Sequence, residues 1–276
     1  MAAPATFNPG PSIGPYSLLV PAGLDRSSEL YRARDTRVDR TVFIKIIEAD
    51  SRRREALLDG APRAASFSNP HVARLLEIGE DDTEGWLYVV SEYVSGPTLQ
   101  SAMLSRYYSP RRSIGLAIQL AETIADAHAA ALIHGDLTPE DIIVTPKGDG
   151  KILHLGLATR QTGYRARPAD GYASPERMLG DADYPADVFS LGAILFRMLI
   201  GRPPSVGPAA ADAAEQMNAH FHLPCGFGSN VSADLQTTVA NALARPVNAR
   251  CGSAAALAAE LRAVAAILDL RGGGRV

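Results

Sequence analysis

His134-Gly135-Asp136-Leu137-Thr138-Pro139-Glu140-Asp141, followed thirteen residues after Asp141 by His154-Leu155-Gly156, is the stretch on which the reading of this chain turns. It gathers two aspartates five residues apart and then an imidazole. An aspartate is a good oxygen ligand for magnesium. Imidazole suits zinc or copper better, so His154 is a poor magnesium ligand.

Outward from this stretch, hydrophobic periodicity divides the chain. Residues 16–21, 29–35, 41–47, 73–78 and 86–92 are short β-like runs separated by turn residues, which predicts a small strand-rich lobe. After Ser95-Gly96-Pro97, residues 112–132, 186–199, 233–243 and 254–268 carry apolar residues every three or four positions, which predicts a larger helical lobe. The change of period at a Gly-Pro dipeptide marks a hinge, where ligands commonly bind. Asp59-Gly60-Ala61-Pro62 disfavours a continuous helix between Arg52 and Phe67 by several kcal/mol, so a broken or shortened helix is expected there.

The chain has 276 residues, 46% hydrophobic and 21% charged, enough to bury a substantial core. A net charge of −3 argues against nucleic acid or an anionic membrane surface recruited by bulk charge. Two cysteines, Cys225 and Cys251, make a disulfide framework unexpected and fit a reducing compartment, with cytoplasm the expectation. Residues 1–15 lack a charged segment followed by an apolar run, so no secretory signal is read there. The longest apolar stretches, such as Leu191–Ile200, fall short of the roughly 20 residues of a spanning helix, and no membrane crossing is expected.

In order and spacing, the chain from Tyr16 to about Leu268 resembles the bacterial Ser/Thr protein-kinase (Hanks-type) family. Val42-Phe43-Ile44-Lys45 is similar to its Val-Ala-Ile-Lys strand, and Ser91-Glu92-Tyr93-Val94 to its gatekeeper and hinge. His134 to Asp141 resembles the catalytic loop, and Ala173-Ser174-Pro175-Glu176 the Ala-Pro-Glu region. Asp187 resembles the aspartate that anchors the catalytic-loop backbone, and Arg250 the arginine that pairs with Glu176. The resemblance implies an α+β bilobal fold. A flexible terminus 1–15 would precede an N-lobe of antiparallel strands (16–94) and a mostly helical C-lobe (95–268), with a flexible tail at 269–276.

Against that pattern the chemical positions differ. His154-Leu155-Gly156 replaces Asp-Phe-Gly, so the metal-binding aspartate is missing. A Gly-x-Gly-x-x-Gly loop would fall on Gly23, Asp25 and Ser28, with Asp25 turned against a triphosphate; a plain polar hairpin is the weightier reading. Lys45 holds the phosphate-gripping position, but its glutamate partner is ambiguous: counting back from Asn69-Pro70 gives Asp59 or Gly60, and the local string gives Glu55. Lys45 as a structural lysine paired with another acid is an equal alternative.

Phe43 replaces the small alanine that lies over adenine, and its ring, burying roughly 150 Å² or more, would fill that space between Leu30 and Ile143. Asp136 aligns with the catalytic base and Thr138 replaces the usual lysine. Asp141 replaces the metal-binding asparagine, the one change that favours magnesium. Gly135 removes the arginine that reads a phosphorylated activation loop, so regulation by loop phosphorylation is not expected. Residues 157–173, with Arg160, Arg165 and Arg167, read as a solvated basic loop before a docking surface, and His220 and His222 as surface histidines. Asp136, Asp141 and His154 as a transition-metal site rank below a hydrogen-bonded cluster.

Two functions follow. The first is a pseudokinase with little or no phosphotransfer and no cofactor, acting as a scaffold or regulator through a protein partner. The alternative is an atypical Ser/Thr kinase that uses ATP with magnesium or manganese, Asp136 as base and Asp141 as metal ligand. The resemblance assigns Gly23, Phe43, Lys45, Glu92, Val94, Ile143 and His154 to the nucleotide site.

Overall fold

The computed structural model describes residues 12–22, 30–47, 51–81, 86–105, 108–157, 171–178, 183–204 and 232–272. The first of these form an antiparallel sheet of β1 (Ser12–Ile13), β2 (Tyr16–Pro21), β3 (Leu30–Asp35), β4 (Arg40–Ile47), β5 (Leu75–Glu80) and β6 (Leu87–Glu92), in the order β1-β2-β3-β4-β6-β5. Alternation along β4 sorts its side chains between two faces. Val42, Ile44 and Ile46 join Tyr16, Tyr31, Tyr88 and Val90 in one core. Phe43 and Ile47 belong to two other clusters, on the side facing the rest of the molecule.

Helix α1 (Ser51–Ser66) packs beside β5. The larger lobe contains α2 (Leu99–Ser105), α3 (Pro110–Ala129), β7 (Ile142–Val144), β8 (Gly150–Ile152), α4 (Pro175–Met178), α5 (Tyr184–Ile200), α6 (Ala233–Ala242) and α7 (Ala254–Gly272). Start and stop signals set the long helices. Ser109 caps α3 through Arg112 N with Pro110 in the first turn, and Gly201 ends α5 in the left-handed conformation at φ 85°. Leu120, Ile124, Phe189, Phe196, Val239 and Leu261, drawn from α3, α5, α6 and α7, share one core.

The hinge is fixed by backbone contact. Gly96 has φ 144°, and a Cβ there would come within 2.1 Å of the Val144 carbonyl oxygen, so only glycine lets the crossing strand lie so close to β7. The isolated bridge Val72–Ile152 ties the small lobe to β8, and the bridge Thr98–Ile143 fixes the chain just after the hinge on β7.

Four expectations are corrected. α1 runs unbroken from Ser51 to Ser66 with Pro62 inside it. The proline penalty of about 3 kcal/mol is offset by burial: Leu57 packs with Ile47, Leu87 and Val89, and Ala64 is buried. Residues 12–15 are not a loose leader, because Ser12 and Ile13 pair with Ser17 and Tyr16. The last helix extends to Gly272, beyond the boundary expected at 268. Finally, Val247–Leu268 is long and apolar enough by composition to cross a membrane, with a third of that window buried. In the fold, Leu257, Ala258, Leu261 and Val264 on this segment belong to the common core.

Candidate active-site cleft

The anchor of the cleft is Asp187 at the start of α5. Fully buried, it accepts hydrogen bonds from Gly135 N (2.7 Å), His134 N (2.9 Å) and His128 Nε2 (2.9 Å). These bonds hold the loop in which Gly135 adopts φ 72°. A second clamp is Arg250, whose guanidinium meets Glu176 with two bonds of 2.5 and 3.1 Å and lies over the Phe189 ring. The Arg250 bond holds the Glu176 carboxyl below its ordinary range against the opposing effect of burial.

Asp141 ends a short 3₁₀ turn begun by Pro139 and is closed into it by its neighbour. Thr138 N and Thr138 Oγ1 donate to Asp141 Oδ2 at 3.1 and 2.8 Å, which is why Thr138 sits well in this position. The other carboxylate oxygen, Oδ1, lies 3.5 Å from Lys45 Nζ and 3.4 Å from His154 Nδ1. Burial would raise the Asp141 carboxyl, but the Lys45 charge and the His154 bond outweigh it and hold the carboxyl well below the usual range. His154 is buried at φ 59°, an uncommon backbone conformation for a residue with a side chain. Burial and then the Lys45 charge pull its imidazole down to about 4, so the ring is neutral at pH 7. Asp136 is half-buried beside this pair, and burial followed by the Asp141 charge pushes its carboxyl up.

Neither acid considered as the Lys45 partner on α1 is brought to it. Glu55 and Asp59 are exposed, whereas Gly60 faces the cleft: a Cβ on it would lie 3.1 Å from the Gly156 carbonyl oxygen. Of the three positions considered, Gly60 is the one turned toward the His154–Gly156 segment, and it has no side chain to offer Lys45. A carboxylate stands beside Lys45 all the same, contributed by Asp141.

The roof and floor of the cleft close on each other. Phe43, 3% exposed, clusters with Leu30, Val94 and Ile143, and with Ala73 and Leu153. Tyr93 stacks obliquely on Phe43, ring centroids 5.1 Å apart, an aromatic contact the sequence reading did not single out. Glu92 pairs with Lys151 on β8, a clasp across the hinge that was also missed because its partners are 59 residues apart. Gly23, Asp25, Ser28, the loop 158–170 and His220 and His222 lie outside the described residues. Among the described residues no group of three or more His, Cys, Asp or Glu side chains is placed to hold a metal ion.

The protein kinase domain model matches residues 19–261. Over 264 residues the chain is 31% identical to the serine/threonine-protein kinase PknB of Mycobacterium tuberculosis, covering 89% of this chain and 42% of that protein. It is 29% identical over 268 residues to the probable serine/threonine-protein kinase SCO3848 of Streptomyces coelicolor, covering 91% of this chain and 40% of that protein. The chain thus spans about two fifths of the length of these curated relatives.

Proposed function

Because this chain belongs to the protein kinase domain family, we propose that it is a pseudokinase, a kinase-like domain with little or no phosphotransfer that works by binding another protein. The observation that carries the reading is the Phe43 cluster. On this reading the ring, clustered with Leu30, Val94 and Ile143, takes the space that the family pattern assigns to adenine. Lys45 and Asp141 add to it. A lysine that would grip phosphates and a carboxylate that would hold metal are engaged with each other. The described residues therefore fit ATP and magnesium poorly. Removing one electrostatic group from an active site commonly lowers the rate a hundredfold to a thousandfold, and here His154, Gly60 and Phe43 all depart from the pattern. The two cysteines and the modest negative charge favour a cytoplasmic setting and a protein partner over nucleic acid.

An atypical Ser/Thr kinase is the second reading, favoured by one observation: Lys45 and Asp141 are together in the cleft, with Asp136 on the same loop and electrostatically coupled to Asp141. Transfer of radiolabelled phosphate in magnesium or manganese separates the two. The pseudokinase reading expects none above that of Asp136→Asn and Lys45→Ala controls. Transfer abolished by both substitutions establishes the kinase.

A further inference from the structure

An ionised carboxylate offers about four acceptor sites on its two oxygens. At Asp141, four donors of this chain are arranged on them. Thr138 N and Thr138 Oγ1 lie 3.1 and 2.8 Å from Oδ2, and His154 Nδ1 and Lys45 Nζ lie 3.4 and 3.5 Å from Oδ1. Because the carboxylate can only accept, the proton between it and His154 sits on Nδ1, and the lone pair of the ring points away from Asp141. A cation at Oδ1 would meet an ammonium and an N–H in place of a second ligand.

The Oδ2 side is closed by a single residue. Thr138 Oγ1 accepts from Glu140 N at 3.3 Å, which leaves its own proton for Asp141, and the Thr138 N–H adds a second bond. The hydroxyl bond is the shortest of the four, and the charge of its acceptor strengthens it. Magnesium demands near-octahedral oxygen ligands and gives up its waters reluctantly, so it competes poorly for a carboxylate that is 7% exposed and already saturated. We propose that Thr138 is a positioning residue that closes Asp141 to divalent cations, making an acid at a metal-binding position of the family into a cap of its own loop. The inference rests on the pseudokinase reading and deepens it on the metal side of the cleft. It names what keeps an aspartate, by chemistry a good magnesium ligand, from restoring the site.

Manganese titrated into the whole chain without nucleotide tests it, read as paramagnetic broadening of the His154 ring protons beside Asp141. The wild-type signals are expected to stay sharp at millimolar manganese. Thr138→Val keeps the branched shape without the hydroxyl and is expected to broaden them at a concentration at least roughly tenfold lower, the equivalent of one lost hydrogen bond to a charged group. Thr138→Ser, which keeps the hydroxyl, should behave as the wild type, and Asp141→Asn in the Thr138→Val background should remove the gain. Folding is checked by thermal unfolding, and Thr138→Ala carries the comparison if Thr138→Val does not fold. Wild-type broadening that Asp141→Asn removes overturns the proposal. So does a folded hydroxyl-free variant as indifferent to manganese as the wild type, a gain that survives Asp141→Asn, or a Thr138→Ser variant that opens like Thr138→Val. Phosphate transfer by the wild type is a separate result, which sinks the pseudokinase reading whatever manganese does in the nucleotide-free chain.

Discussion

Lys45 Nζ lies 3.5 Å from Asp141 Oδ1, so an ammonium supplied by the chain stands on the carboxylate that aligns with a metal-binding position of the family. If this pair organises the cleft, its members are coupled. Asp141→Asn is expected to destabilise the fold by roughly 1–3 kcal/mol, less than for a fully buried pair because the Lys45 side chain is 29% exposed. With Lys45→Met as the other arm, denaturant unfolding of both single variants and the double variant should give a coupling between roughly 0.5 and 3 kcal/mol. Additive effects would show that the pair is incidental.

Acid should weaken the fold through His154. Its folded value, about 4, lies below the ordinary imidazole value of 6.5, so the unfolded chain binds more protons in that window. Stability therefore rises with pH from about 4 to 6.5 and is flat above, by up to about 3 kcal/mol. Asp141, held low, acts in the same direction at still lower pH, its contribution being lost as pH falls through its folded value. His154→Asn, which tolerates the left-handed backbone, should flatten the unfolding profile in this window. An unchanged slope would mean that other groups carry it.

Asp187 supplies acceptors to two buried backbone N–H groups, those of His134 and Gly135. Asp187→Ala leaves both unsatisfied and is expected to cost roughly 2–4 kcal/mol in denaturant unfolding, with Asp187→Asn intermediate because one oxygen remains. Equal stability of Asp187→Ala and wild type would remove this residue from the account of how the loop is held.

The two-lobed fold was legible because its signals are periodic or local. The alternation of β4 and the caps at Ser109 and Gly201 can be read without knowing any contact. α1 was misread for the opposite reason. Gly60 and Pro62 are poor helix formers locally, but the helix is held by Leu57 and Ala64, whose partners on β4, β6 and the His154–Gly156 segment are distant in sequence. In the cleft, Phe43 and Asp141 were legible as departures from a pattern. The Tyr93 stack and the Lys151 clasp exist only once the chain is folded.

Phe43 governs whether the cleft can take a base. Truncating a buried phenylalanine to alanine costs about 3–5 kcal/mol, so Phe43→Val is the milder probe beside Phe43→Ala. The folded variant is expected to gain a nucleotide-dependent stabilisation that the wild type lacks. A variant as indifferent to ATP as the wild type would shift the obstruction from Phe43 to the phosphate side of the cleft.

The most direct measurement is thermal unfolding of the wild type with increasing ATP, alone and with magnesium or manganese. A ligand that binds only the folded state stabilises it by about 2.7 kcal/mol at 100 times its dissociation constant, so binding in the micromolar range would be plain at millimolar nucleotide. No shift under any condition is the result expected of a cleft filled by Phe43 and neutralised by Lys45 on Asp141. A metal-dependent rise in the unfolding temperature would contradict it, because it would require the adenine space to be open and Asp141 to exchange Lys45 for a metal ion.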